Sequence, residues 1–452
     1  MLSACGGGSS ASVPGTASGN PVNTPSGSGS APANPASALQ VFNLKGRRPI
    51  TWSDFLGVNA NFLWFSPAQA QQQIQQLQRL GLQWVRVDLH WDDLEPIEGQ
   101  FLYAPIDTMV GQLAQAQLQS VLYMVGSAAF ASSAPPQASN PDQYPPTSPQ
   151  LFASRMAALA ARYPSVAAWQ IWNEPNLPAF WQPQPDTEGY VELLLASTQA
   201  IQQAAPGKPV AMAGMAYYSQ MPDGSLMLQD LANLGALSLG DIVAYHPYSQ
   251  YPEGDDVQAQ DFLVRADQIN SSLRAAQVPA IWATEWGWSS YAGPVEEQNI
   301  IGTAGQADYV LRRLALMSTM DYDRIFLFTL SDLDQRATPR DQFYGLLDLQ
   351  GNPKPVYTAL ANFLALTGPA LTPAAPPTLL AAPLALYSIG WERADGRKLW
   401  MFWSANAGVI ALSGLMEAII HQPLTGTSTA LTVESGQAGL ACSTQLQVLE
   451  WV

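Results

Sequence analysis

The chain has 452 residues, with 19 Lys+Arg against 35 Asp+Glu and a formal net charge of −16. That length suits one large domain with a smaller module rather than three domains, and hydrophobic residues at 47% can fill a large core. The acidic balance argues against a nucleic-acid partner, which needs a basic patch for its phosphates, and against strong binding of an acidic polysaccharide except through a local basic groove.

Leu2-Ser3-Ala4-Cys5 resembles a bacterial lipobox, in which the cysteine becomes a lipidated N-terminus, although the basic and apolar regions of a signal peptide do not precede it. Residues 6–37 are almost all Gly, Ser, Ala, Pro, Asn and Thr, a composition that cannot bury a core and reads as a flexible tether. A tether directly after Cys5 makes that cysteine the expected lipidation site. The expected location is the cell envelope, in the periplasm or at the outer membrane, with membrane contact only through the anchor. The resemblance of Gly6 after the cysteine to lipoprotein sorting signals favours the outer membrane. Cys5 and Cys442 are the only cysteines, and a disulfide between them would merely tie down a floppy tail. No run of about 18 apolar residues is present, so no transmembrane helix is expected.

Residues 38–369 are expected to form the main domain, with 38–52 either adding a strand to the C-terminal module or plugging the domain's base. From about residue 55 to 366, short β-branched or aromatic runs alternate with helical stretches. Strands are expected at 56–62, 83–89, 120–125, 166–173, 208–214, 241–247, 279–285 and 324–330. Ser66-Pro67 starts one intervening helix and Gly81 stops it. Ser148-Pro149 opens another that Pro164 closes, and Asp186 caps a third that ends near Pro206-Gly207. Alternation of this kind implies parallel βαβ units, and eight of them imply an α/β fold closed as a (β/α)₈ TIM barrel. Residues 370–383 are rich in Pro and Ala and read as a linker. Residues 384–452 carry short alternating runs such as Leu399-Trp400-Met401-Phe402-Trp403 and the hairpin signal Asp395-Gly396, and are expected to form a small β-rich, β-sandwich-like domain.

Active sites of such barrels form at the C-terminal ends of the strands. Strand four runs Trp169-Gln170-Ile171-Trp172-Asn173-Glu174-Pro175, and strand seven runs Ile281-Trp282-Ala283-Thr284-Glu285-Trp286-Gly287. Each brings a glutamate to the mouth after an apolar run, and strands three apart in a ring of eight face each other. Two facing carboxylates are what glycosidic cleavage requires, one to protonate the leaving oxygen and one to attack or stabilise the anomeric carbon.

Trp172-Asn173-Glu174-Pro175 and Thr284-Glu285-Trp286-Gly287 resemble the acid/base and nucleophile motifs of the large clan of retaining (β/α)₈ glycosidases, over about residues 55–366. Within it the chain is most similar to glycoside hydrolase family 39, notably its exopolysaccharide hydrolases with a small β-rich C-terminal domain. Tyr344-Gly345-Leu346-Leu347 followed by Pro353-Lys354-Pro355 and Tyr357 supports that likeness. The resemblance implies Glu174 as acid/base and Glu285 as nucleophile. It further implies Arg86 as the cation beside Glu285, Asn173 as a partner of the sugar 2-hydroxyl, Tyr248 as a donor to Glu285 and His246 as a sugar contact. Aromatic faces grip sugar rings; Trp91, Trp181, Trp286 and Trp288 each read singly as core before platform, but as a set they suggest a groove, which Tyr291 and Glu296 could line. Clan members commonly carry tryptophan near the end of strand eight, whereas this chain offers Phe328, which leaves the bound sugar open. His90, His246 and His421 show no metal-ligand spacing and no phosphate loop is visible, so neither metal nor cofactor is expected.

The function these features imply is a retaining, endo-acting glycoside hydrolase of a bacterial exopolysaccharide in the biofilm matrix, near a biosynthesis or export complex. An exo-acting β-xylosidase or arabinosidase is the alternative within the same chemistry. A catalytically silent polysaccharide-binding subunit is the alternative from another class, and the presence of both glutamates weighs against it.

Overall fold

The computed structural model describes residues 41–294 and 298–452. Eight parallel strands close into a barrel. In chain order they are Leu56–Asn59, Trp84–His90, Gln119–Val125, Ala168–Ile171, Val210–Met215, Ile242–Tyr245, Ala280–Trp286 and Arg324–Leu327. The eighth pairs with both the seventh and the first, which completes the ring. Helices cover these strands outside and side chains fill the lumen, so most strand residues are buried on both faces. A strand of that kind reads as a nearly continuous apolar run.

The helix starts follow from capping chemistry. Ser66 and Gln69 form a capping box before Pro67–Arg79, and Pro67 has no N–H to leave unpaired. Ser148 caps Pro149–Arg162 by accepting from Leu151 N, and Asp186 caps Thr187–Ala204 by accepting from Gly189 N.

The C-terminal part forms two antiparallel layers, with a three-stranded sheet facing part of a larger one. Trp400, Phe402, Ile410, Leu412, Leu440 and Leu449 are buried between them. The 370–383 stretch is not a bare linker. Ala370–Pro373 pairs with Leu386–Arg393, and Thr378–Ala381 pairs with Gly408–Ser413. Residues 38–52 do not all belong to the barrel either. Val41–Lys45 adds a parallel strand to Leu386–Arg393, and Ile50–Thr51 pairs with Ala370–Pro373. The N-terminal strand thus stitches the small domain to the barrel entry. Cys5 and the 1–37 tether lie outside the described residues. Among the described residues, no helix is long and apolar enough to cross a membrane.

The two domains meet through a buried charge. Glu253, on the loop after strand six, accepts from Arg312 Nη1 at 2.6 Å and from Trp403 Nε1 at 2.8 Å. Trp403 in turn stacks on Tyr387 at 4.9 Å.

Candidate active site

Strand four ends at Ile171, and the chain then turns sharply. Trp172 and Glu174 take positive φ values of 73° and 45°, a conformation that costs a non-glycine residue on the order of 1–3 kcal/mol. The turn aims Glu174 at the mouth, where its backbone N–H donates to Gly214 O on strand five at 3.0 Å. Gly214 must lack a side chain, because a Cβ there would lie 2.0 Å from His246 Nε2.

Glu285 comes from the end of strand seven. One of its carboxylate oxygens and one of Glu174 lie within 4.8 Å of each other. Retaining carboxylate pairs stand about 5–5.5 Å apart, whereas inverting pairs need about 6.5–9.5 Å to admit a water. Both glutamates are buried, at 2% and 0% exposure, yet both line one cavity of about 240 Å³.

Their surroundings differ. Arg86 donates from Nη1 to Glu285 Oε1 at 2.7 Å, and Tyr248 donates its hydroxyl to Oε2 at 3.1 Å. Both are donors, so the site suits an ionised carboxylate. Arg86 is itself fixed from every side. Nε donates to Gln170 at 2.6 Å, Nη1 also to Asn59 at 2.9 Å, and Nη2 to Asn173 at 2.8 Å. Its guanidinium lies over the Tyr123 ring at 3.8 Å. A buried ion pair is stable only with such complete satisfaction.

Among the described residues Glu174 is hydrogen-bonded by His246, whose Nδ1 is 2.7 Å from Oε1, while Oε2 has no partner. Burial raises this carboxyl to about 8, against the opposing pull of Arg86 and Arg340. Burial lowers His246 to about 4, so the imidazole is neutral at ordinary pH. Its Nε2 meets Thr284 Oγ1 at 3.0 Å, and Nδ1 stands 3.8 Å from Glu285 Oε2. One carboxyl that holds its proton and one bound by donors can divide acid and nucleophile work.

Glu174, His246 and Glu285 also offer ligand atoms within 4.8 Å of one another, a spacing a cation can use. A divalent ion there would stand close to the Arg86 guanidinium, which already engages Glu285.

Of the residues singled out from sequence, Arg86, Asn173, Glu174, His246, Tyr248 and Glu285 converge, and Phe328 lines the same cavity. The four tryptophans do not join them, and the groove-wall expectation is corrected. Trp91 is fully buried and packs on Phe130 and Phe152. Trp181 packs between Trp172 and Tyr190. Trp286 is fully buried, and Trp288 is 2% exposed and holds the strand-six loop through Nε1 to Ser249 O at 2.9 Å. Tyr291 stacks on Phe343 outside the cavity, and Glu296 lies outside the described residues.

The other cavity residues carried no sequence signal, except Tyr344, which opens the Tyr344-Gly345-Leu346-Leu347 stretch. Tyr217 follows strand five. Ser249, Gln250 and Asp255 come from the loop after strand six, and Gln298 from the loop after strand seven. Arg340, Asp341 and Tyr344 come from the long loop after strand eight. That loop is pinned by Lys354, whose Nζ donates to Asp332 at 2.7 Å, Ser290 at 2.9 Å and Phe343 O at 3.0 Å. Asp341 is 1% exposed, and burial with the nearby Glu174 charge pushes it up to about 7, opposed by Arg340 and Thr338.

The sequence model of Glycosyl hydrolases family 39 matches residues 65–376. Among solved structures, a family 39 glycoside hydrolase from the gut symbiont Bacteroides cellulosilyticus WH2 is similar at 19% identity and a TM-score of 0.68, covering 88% of this chain and 80% of that one. A monomeric β-xylosidase from Caulobacter crescentus CB15 is similar at 17% identity and a TM-score of 0.60, covering 91% and 99%. The catalytic domain of xylanase C from Talaromyces cellulolyticus follows at 13% identity and 0.58, covering 91% and 99%. No curated protein sequence matches significantly.

Proposed function

The chain belongs to Glycosyl hydrolases family 39, and on that premise we propose that Glu285 is the nucleophile and Glu174 the acid/base of an endo-acting exopolysaccharide hydrolase. The protein is a retaining glycoside hydrolase. The observation behind the assignment of roles is the unequal setting of the two carboxyls: Glu285 is bound by Arg86 and Tyr248, while Glu174 is raised to about 8 and keeps Oε2 without a protein partner.

Glu285 attacks the anomeric carbon as the glycosidic C–O bond breaks, and the Glu174 proton goes to the departing oxygen. A glycosyl ester of Glu285 results. Glu174, now a carboxylate, takes a proton from water as the water oxygen attacks the same carbon and Glu285 departs. Asn173, oriented by Arg86, binds the 2-hydroxyl.

The endo reading is supported by space at the barrel mouth beyond the catalytic cavity, over strands one, two and eight. The compact catalytic cavity of about 240 Å³ favours the second reading, an exo-acting β-xylosidase or arabinosidase. Product analysis on a panel of bacterial exopolysaccharides separates them. Early release of oligosaccharides with a rapid fall in viscosity is the endo outcome, and monosaccharide alone from the first minutes supports the exo reading.

We further propose that Cys5 anchors the protein in the envelope, beside the machinery that makes or exports the polymer. Labelled fatty acid should appear on protein expressed with a lipoprotein leader and vanish in Cys5→Ser. Equal labelling of both would refute the anchor.

A further inference from the structure

A second depression of about 280 Å³ opens on the same face of the barrel. Arg86 and Asp88 lie two residues apart on strand two, so both point into the lumen, with Asp88 about 6–7 Å nearer the mouth. Asp88 therefore stands one layer above the guanidinium that holds Glu285, and it lines the second depression. The loop after strand eight borders both spaces, sending Arg340 and Asp341 into the catalytic cavity and Arg336 into the depression. The two spaces are thus neighbouring parts of one mouth.

Polar groups of both signs line the depression. Asp88 is 7% exposed, accepts from Asn61 Nδ2 at 3.2 Å and approaches His90 Nε2 at 3.4 Å. Burial works against a charged His90, yet Asp88, Asp92 and Asp93 together raise it to about 9, so it is an imidazolium near neutral pH. Arg336 lies over the Trp64 ring at 4.5 Å. Asp88 and Asp93 stand there with His90 and Arg336, and Arg336 is already paired with Asp334 at 2.8 Å, so acidic groups outnumber the cations. Leu94 and Leu102 complete an apolar wall. Donors and acceptors beside an apolar surface match a neutral pyranose, whose hydroxyls both donate and accept and whose C–H face is apolar. An acidic sugar would meet repulsion from Asp88, Asp93 and Asp334.

We propose that this depression is a saccharide subsite, which takes a neutral sugar unit of the polysaccharide chain whose scissile bond lies between Glu174 and Glu285. The proposal rests on the endo reading above. It gives the enzyme a length preference, because an oligosaccharide that reaches the subsite gains contacts that an aryl monoglycoside cannot make.

The test uses the full chain, the exopolysaccharide it cleaves in the panel, oligosaccharides of two to six units prepared from that polymer, and the 4-nitrophenyl glycoside of its cleaved sugar. The readout is the ratio of kcat/KM for the longest oligosaccharide to that for the aryl glycoside. Leu102, at the exposed rim, is replaced by tryptophan to fill the depression, and the exposed Asp93 is replaced by alanine to remove an acceptor without disturbing packing. Each should lower the ratio, Leu102→Trp by at least tenfold and Asp93→Ala by severalfold. A wild-type ratio in both variants, from a protein that still releases long products, overturns the subsite and leaves the endo reading standing. Monosaccharide as the sole wild-type product, or no cleavage of any polymer in the panel, overturns the endo reading and the subsite with it.

Discussion

His246 holds Glu174 through Nδ1 to Oε1 at 2.7 Å, while Oε2 is buried without a hydrogen-bond partner among the described residues. The imidazole is neutral and carries one N–H. With that proton on Nδ1, it donates to Oε1, the acid proton of Glu174 rests on Oε2, and the Thr284 hydroxyl donates to Nε2 at 3.0 Å. Thr284 thereby selects the tautomer. Thr284→Val keeps the shape but removes the donor, and kcat should fall roughly tenfold, the worth of one buried hydrogen bond. Thr284→Ser should retain most of the rate. Equal rates in the wild type and the valine variant would remove Thr284 from the arrangement.

Glu174 must be protonated to act as acid. Its carboxyl titrates near 8, so kcat/KM should fall as pH rises through about 8. Asp341 and Glu174 repel each other when both are ionised, and coupling of this kind acts on both groups. Asp341→Asn removes a negative charge beside Glu174 and makes its ionisation easier. The alkaline limb should therefore move to lower pH. A limb that stays in place would show the two carboxyls to be uncoupled.

The same burial has a thermodynamic consequence. The folded carboxyl titrates near 8 against an ordinary value of 4.5, so between those values the native state holds a proton that the unfolded state has released. Stability must decline as pH rises through that window. Glu174→Gln has no such proton, so its stability relative to the wild type should increase steadily from about pH 5 to 8. Denaturant midpoints at the two ends of the window measure this, and a constant difference between the two proteins would contradict it.

The legible parts of the chain were those whose local chemistry agrees with the final fold. The eight barrel strands are buried on both faces and stand out as apolar runs between capped helices. Tyr344-Gly345-Leu346-Leu347 has a physical role as well, since a Cβ on Gly345 would meet Asp332 N at 2.1 Å and Leu347 O at 2.4 Å. The short strands in 370–383 were hidden, because Pro and Ala content suggests a linker and their partners are remote in sequence. The tryptophans misled because a large aromatic reads alike in a core and on a groove wall. Arg340 and Asp341 sit on an aperiodic loop, and remote contacts such as the Lys354–Asp332 bridge and Ser289 Oγ to Arg340 O at 2.6 Å hold that loop at the mouth.

The Glu253 junction predicts that the small domain braces the active site. Glu253 belongs to the loop that supplies Ser249, Gln250 and Asp255 to the cavity, and Arg313 ties the same loop through Pro247 O at 2.7 Å and Pro252 O at 2.6 Å. Trp403→Phe preserves stacking on Tyr387 but removes the donor to Glu253. Stability should drop by about 1–2 kcal/mol, hydrogen exchange across 247–256 should quicken, and kcat/KM should fall severalfold although Trp403 does not line the cavity. Unchanged exchange and activity would make the small domain a passive neighbour.

The roles of the two glutamates can be separated by what each variant does with an added nucleophile. Glu174→Ala loses the acid and later the base but keeps Glu285 and its Arg86 partner. An activated aryl glycoside needs no protonation to depart, so the glycosyl ester still forms and then persists, because no base activates water. Azide needs no base and enters from the side that Glu174 vacated. The product should be a glycosyl azide of the substrate's own anomeric configuration, with turnover restored. Glu285→Ala cannot form the ester, and azide that fills its place attacks from the opposite face to give the inverted azide. Nuclear magnetic resonance of the two products reads the configuration directly. Azides of the same configuration from both variants, or a wild-type rate in either without azide, would mean that these carboxyls do not divide the work as their surroundings indicate.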